Sequence, residues 1–172
     1  MLIKHYTKPH WVSSILQQGQ IALEDSQSAD TQHTVIDSYW GPGHSHIDPL
    51  GRALTQSWLQ VRPRYVWLTE DTVARTAYTG PGAEDCYFAF DSDSIQAQKW
   101  HYAKRTIAHP QAPDVVALMD RGARMIGDDP YHYWVCTQPV SVALAVPGMG
   151  VLEDPSSFTD PQKFFTKYQD VL

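Results

Sequence analysis

The chain has 172 residues, 42% of them apolar and 19% charged, and its thirteen basic and nineteen acidic side chains leave a net charge of −6. That balance excludes a disordered chain, and no run nears the ~18 apolar residues of a membrane-spanning helix. It also argues against a surface that coats nucleic acid, because such surfaces neutralise phosphates with many Lys and Arg. A narrow basic pocket stays compatible with it.

Met1-Leu2-Ile3-Lys4-His5 turns polar too early for a secretory signal. Cys86 and Cys136 make neither a disulfide framework nor a Cys-x-x-Cys knuckle. A cytoplasmic protein with two ordinary thiols is expected.

In chain order, residues 2–7 read as a short strand, and Thr7 with Pro9 starts a helix carrying Trp11, Val12, Ile15 and Leu16 at helical spacing. Gly19 stands where a left-handed cap would end it, and Ile21 and Leu23 return to extended chain. Residues 24–48 form a long irregular loop. Asp48-Pro49 then opens a helix with Leu50, Ala53, Leu54, Trp58 and Val61 on one face. The run 64–70 predicts a central strand, followed by a short helix near 72–78, a turn at 80–82 and a buried strand over 86–91. A polar connection holds Lys99, Trp100, His101, Lys104 and Arg105, with Lys104-Arg105 read as a solvated pair.

A helix starting at Pro113-Asp114 points Val115, Leu118, Met119, Gly122 and Ile126 inward, and Gly127 closes it. Residues 131–137 and 140–146 predict strands, with Pro139 at an edge or bend. The last helix, from about 159, is expected to bury Phe164, Phe165 and Tyr168. Nothing divides the chain, so one α+β domain is expected.

His5, Tyr6 and Thr7 end the first strand before a helix, and Trp67-Leu68-Thr69 ends another in the same way. Alternation puts His5 with Ile3 and Thr7 on one face and Tyr6 on the other. Taken singly these are a hydrogen-bonded strand histidine, a core tryptophan and a capping threonine. Strand ends opening onto helices are also where ligand-contacting groups gather.

Taken together, His5-Tyr6-Thr7, a helix, Gly19-Gln20-Ile21, then Val66-Trp67-Leu68-Thr69 and Trp134 to Val140 resemble the ADP-ribosyltransferase-like superfamily. The similarity is to the branch with DNA-modifying toxins and RNA 2′-phosphotransferases, and covers most of residues 1–147. It implies a split, two-sheet mixed β core flanked by helices, with NAD bound as substrate in the cleft. ADP-ribose would pass to a protein or nucleic-acid acceptor. His5, Tyr6 and Thr69 would be catalytic; His5, Thr7, Trp67, Arg75 and Gln138 would bind NAD. A nucleotide- or partner-binding module without turnover is the alternative on the same scaffold. No acidic residue lies between Tyr131 and Glu153, where the family places a Glu that orients the ribose, so Glu70 and Glu84 are the other carboxylates to consider. On the transferase reading, alanine at His5 is expected to lower activity far more than stability.

Three weaker signals remain. His44 and His46, with His33 and Asp48, have a spacing that would suit a metal, but no second cluster supports it, and no metal is expected. Asp91-Ser92-Asp93-Ser94 reads as a strand-ending turn with Asx hydrogen bonds rather than a calcium loop. The two thiols, inside apolar strands, are expected to have raised pKa values.

Overall fold

The computed structural model describes residues 1–23, 65–70, 86–106 and 129–168, together with helical positions 116, 117, 120 and 124. The first strand, β1 (Leu2–Tyr6), leads into α1 (Pro9–Gln18), which carries Pro at its first turn and ends at Gly19 with φ 67°. The Gly19 N–H bonds the Leu16 carbonyl, closing the helix with a left-handed cap. A two-residue strand follows, β2 (Gln20–Ile21). Next come β3 (Val66–Glu70), β4 (Tyr87–Asp91), β5 (Gln98–Lys99) and a single helical turn, α2 (Trp100–Ala103). After a 3-10 turn at Pro130–His132 come β6 (Tyr133–Cys136) and β7 (Val140–Ser141). The described chain ends in α3 (Ser156–Thr159) and α4 (Pro161–Tyr168).

Five strands form one sheet in the order β4-β1-β3-β6-β5, and β2 pairs with β7 in a second. Two sheets with helices agree with the α+β expectation. The mixed sheet does not appear, because every strand pair described is antiparallel. β3 is central, as its apolar run predicts.

The late strands are shorter than expected for local reasons. Asp129 caps the 3-10 turn by accepting from the Tyr131 N–H at 3.0 Å, which holds residues 130–132 out of the sheet. Ser141 does the same for the turn Val142–Leu144, its hydroxyl accepting from Ala143 N–H, and so ends β7 after two residues. Asp91 accepts from the Asp93 N–H at 3.0 Å, the Asx turn predicted there. Phe165, expected to be buried, is instead 61% exposed, and of the four residues at helical spacing on α1, Trp11 is 56% exposed.

Of the helix expected from residue 113, positions 116, 117, 120 and 124 are described and helical. They bury Val116 and Asp120; the five inward residues expected there lie outside the described residues. The loop 24–48, the helix after Asp48, the helix near 72–78 and the turn at 80–82 lie outside them too. No described helix is long and apolar enough to cross a membrane.

Candidate functional site

The register divides the large sheet into two chemically different faces. Ile3 lies opposite Glu70 and Phe90, His5 opposite Phe88, and Leu68 opposite Trp134. With Val66 and Cys136 these make an aliphatic and Phe face, sealed by Val12, Ile21, Val151 and Phe158. On the other face Lys4 lies opposite Thr69, Tyr6 opposite Tyr87, Trp67 opposite Val135 and Thr69 opposite Tyr133. Tyr65 and Trp100 join them there. Phe88 and Phe90 are therefore ordinary core on one face, with Trp134 at its margin, while Tyr65, Trp67, Trp100 and Tyr133 gather on the other.

The residues singled out in the sequence are distributed across both faces. His5 is 3% exposed on the Phe face, and its Nδ1 lies 2.8 Å from the backbone oxygen of Trp67. A carbonyl only accepts, so Nδ1 is the protonated nitrogen. Thr7 is buried, and its backbone N–H continues the ladder to Cys86 O at 2.9 Å. Tyr6 is half-buried on the opposite face, its ring 5.6 Å from that of Tyr87. Trp67 and Thr69 share that face two residues apart. Gln138 is exposed in the bend between β6 and β7, while Arg75 and Glu84 lie outside the described residues. Tyr6, Trp67 and Thr69 are thus brought to one surface; His5 and Thr7 are not.

Trp67 is packed in a cage of rings: Trp100 at 4.8 Å, Tyr65 at 5.8 Å and Tyr133 at 6.2 Å. Its indole Nε1 is buried without a hydrogen-bond partner among the described residues, and so is the Oγ1 of Thr69, a residue only 7% exposed. A third such atom is Nδ1 of His101, in the turn next to Trp100. Buried polar atoms are almost always paired, and each one left alone costs about 1–3 kcal/mol. A ligand that pairs them recovers that cost. Position at a strand end makes Trp67 and Thr69 visible in the sequence, and His101 is visible as part of the ring-rich run Trp100-His101-Tyr102.

Glu70, next after Thr69, turns to the opposite face. Its carboxylate accepts from Lys99 Nζ, from His132 Nδ1 at 2.8 Å and from Trp134 Nε1 at 3.0 Å. Lys99 also donates to the Tyr131 carbonyl at 3.2 Å and lies over the Trp134 ring. Burial opposes the charge on Glu70, but the Lys99, His132 and Trp134 donors outweigh it and hold the carboxyl at about 2, below its ordinary 4.5. A depressed carboxylate pKa contributes stability above the unfolded value and loses it as pH falls toward the folded one. Thermal melts should therefore show a stability component lost between about pH 4.5 and 2 that the Glu70→Gln variant lacks. A variant whose acid profile parallels the parent's would contradict this.

The other two basic residues of the polar connection are also placed. Lys104 pairs with Asp120, which accepts the Trp100 indole N–H at 3.0 Å as well, so Lys104 is tied into the fold rather than solvated. Arg105 is exposed with its guanidinium 5.7 Å above the Tyr102 ring. Cys86 and Cys136 are buried free thiols, and burial pushes Cys136 up to about 11, which removes it as a nucleophile. Among the described residues no three His, Cys, Asp or Glu side chains come together as a metal site, and the His44–His46 cluster lies outside them. The chain matches no protein-family model, no curated protein and no solved structure.

Proposed function

We propose that this domain binds NAD on the Trp and Tyr face of the large sheet and transfers ADP-ribose to a protein or nucleic-acid acceptor. The observation that carries the reading is the pair of buried, unpartnered atoms on that face, Trp67 Nε1 and Thr69 Oγ1. An indole N–H donates, and a threonine hydroxyl both donates and accepts. Together they complement a carboxamide, and the rings of Trp100, Tyr65 and Tyr133 around Trp67 suit a flat heteroaromatic group. The same two residues carry the second motif of the resemblance, which puts them beside the nicotinamide. Tyr6 faces the same side of the sheet. His5 acts at one remove, as a positioning residue that anchors the Trp67 carbonyl. Arg75 and Gln138 are assigned by the resemblance alone.

One observation favours the second reading, a nucleotide-binding module without turnover. Breaking the nicotinamide bond builds positive charge on the ribose, and a nearby carboxylate stabilises that charge most. Glu70 is ionised but is held on the opposite face by three donors.

Calorimetry with NAD, ADP-ribose and nicotinamide, run beside assays with labelled NAD and protein or nucleic-acid acceptors, separates the readings. Binding with nicotinamide release supports transfer. Binding without release supports the module, and no binding of any of the three overturns both.

A further inference from the structure

We infer that the purine base of the bound nucleotide docks on the rings of Tyr131 and Tyr102, at the end of the sheet where β6 begins. This rests on the nucleotide reading above and adds the place of the ligand's other end. Tyr131 and Tyr102 are 60% and 59% exposed, among the most exposed large side chains described, though each belongs to a helical turn packed against the sheet. Between them lies the His101 imidazole, 3.9 Å from the Tyr102 ring and 5.1 Å from the Tyr131 ring. Its buried Nδ1 has no hydrogen-bond partner among the described residues. Two exposed rings and an unused imidazole nitrogen offer what a base requires, π-faces for stacking and an edge group for hydrogen bonding. Arg105, above the Tyr102 ring, adds positive charge at the margin.

The platform is continuous with the proposed nicotinamide side. Thr69 lies opposite Tyr133, and Tyr131 is two residues before it in the chain. His101 follows Trp100, whose ring packs on Trp67. Adjacent strands are about 4.8 Å apart, which sets Tyr133 beside Thr69, and the 3-10 turn before Tyr133 carries Tyr131 past the end of the sheet. Thr69 Oγ1 stands at one end of that path, and the His101 imidazole lies beside the Tyr131 ring at the other. The rings also have fixed supports: Lys99 donates to the Tyr131 carbonyl, and Asp129 caps the turn that carries Tyr131.

The test compares NAD, AMP and nicotinamide mononucleotide on the parent chain and on Tyr131→Ala, Tyr102→Ala and Tyr131→Phe. Both side chains are exposed, so the variants should melt with the parent. Loss of one stacked ring weakens base binding by roughly tenfold or more. The alanine variants should therefore lose about tenfold in affinity for NAD and AMP, keep their affinity for nicotinamide mononucleotide, and be rescued by phenylalanine at position 131. NAD binding that is unchanged in both alanine variants overturns this inference and leaves the nucleotide reading standing. A parent chain that binds neither NAD nor nicotinamide mononucleotide overturns both. Loss of binding to a single-stranded oligonucleotide, with NAD indifferent to the substitutions, would also overturn it and assign the rings to an acceptor.

Discussion

Truncating Trp100 to alanine should lower the unfolding free energy by about 3–5 kcal/mol, as is usual for a buried large aromatic. Its side chain is fully buried, its ring packs on Trp67 and Tyr65, and its indole N–H satisfies the buried Asp120. Trp100→Phe keeps most of the packing and loses the N–H, so it should cost only about 1–3 kcal/mol. For a domain whose whole stability lies near 5–15 kcal/mol, the alanine loss is a large fraction. Equilibrium urea unfolding measures both. A midpoint for Trp100→Ala indistinguishable from the parent's would contradict the packing described here.

His5→Ala should lower stability by about 2–4 kcal/mol, combining a cavity with a backbone carbonyl left without its donor. From the sequence alone, the transferase reading expects the opposite ranking, with activity lost first and stability spared. Burial at 3% exposure and the bond to Trp67 O change that ranking. Ligand binding should weaken as well, through displacement of Trp67, and the loss should track the fall in melting temperature. A variant that melts with the parent yet fails to bind NAD would return His5 to direct contact with the ligand.

The parts of the fold legible in the sequence are those specified by neighbours in the chain. Pro9 and Gly19 bracket α1, and four consecutive apolar residues mark β3 as central. The elements that were not legible are too short to show a period, such as β5 with two residues and α2 with four. The late strands are shorter than the β-rich sequence suggests because Asp129 and Ser141 each cap a 3-10 turn within it.

The site divides in the same way. Alternation along β1 already separates His5 from Tyr6, and the strand end marks Trp67 and Thr69. Whether those two find partners depends on what packs over them, which no local pattern encodes. Glu70 makes the same point from the other side. Its three donors come from 29, 62 and 64 residues further along the chain, so no local pattern shows that its carboxylate is fully engaged.

Thr69 carries a buried hydroxyl without a hydrogen-bond partner among the described residues, and Thr69→Val shows whether a ligand uses it. The substitution keeps the shape and β-branching and removes only the oxygen. If the hydroxyl has no protein partner, its loss should raise stability by about 1 kcal/mol, a rise in Tm of roughly 2–4 °C at this chain length. The same variant should bind NAD about tenfold more weakly, because the ligand's polar group then lacks its partner. A variant that melts lower than the parent and binds NAD equally well would show that the hydroxyl serves the fold and not a ligand.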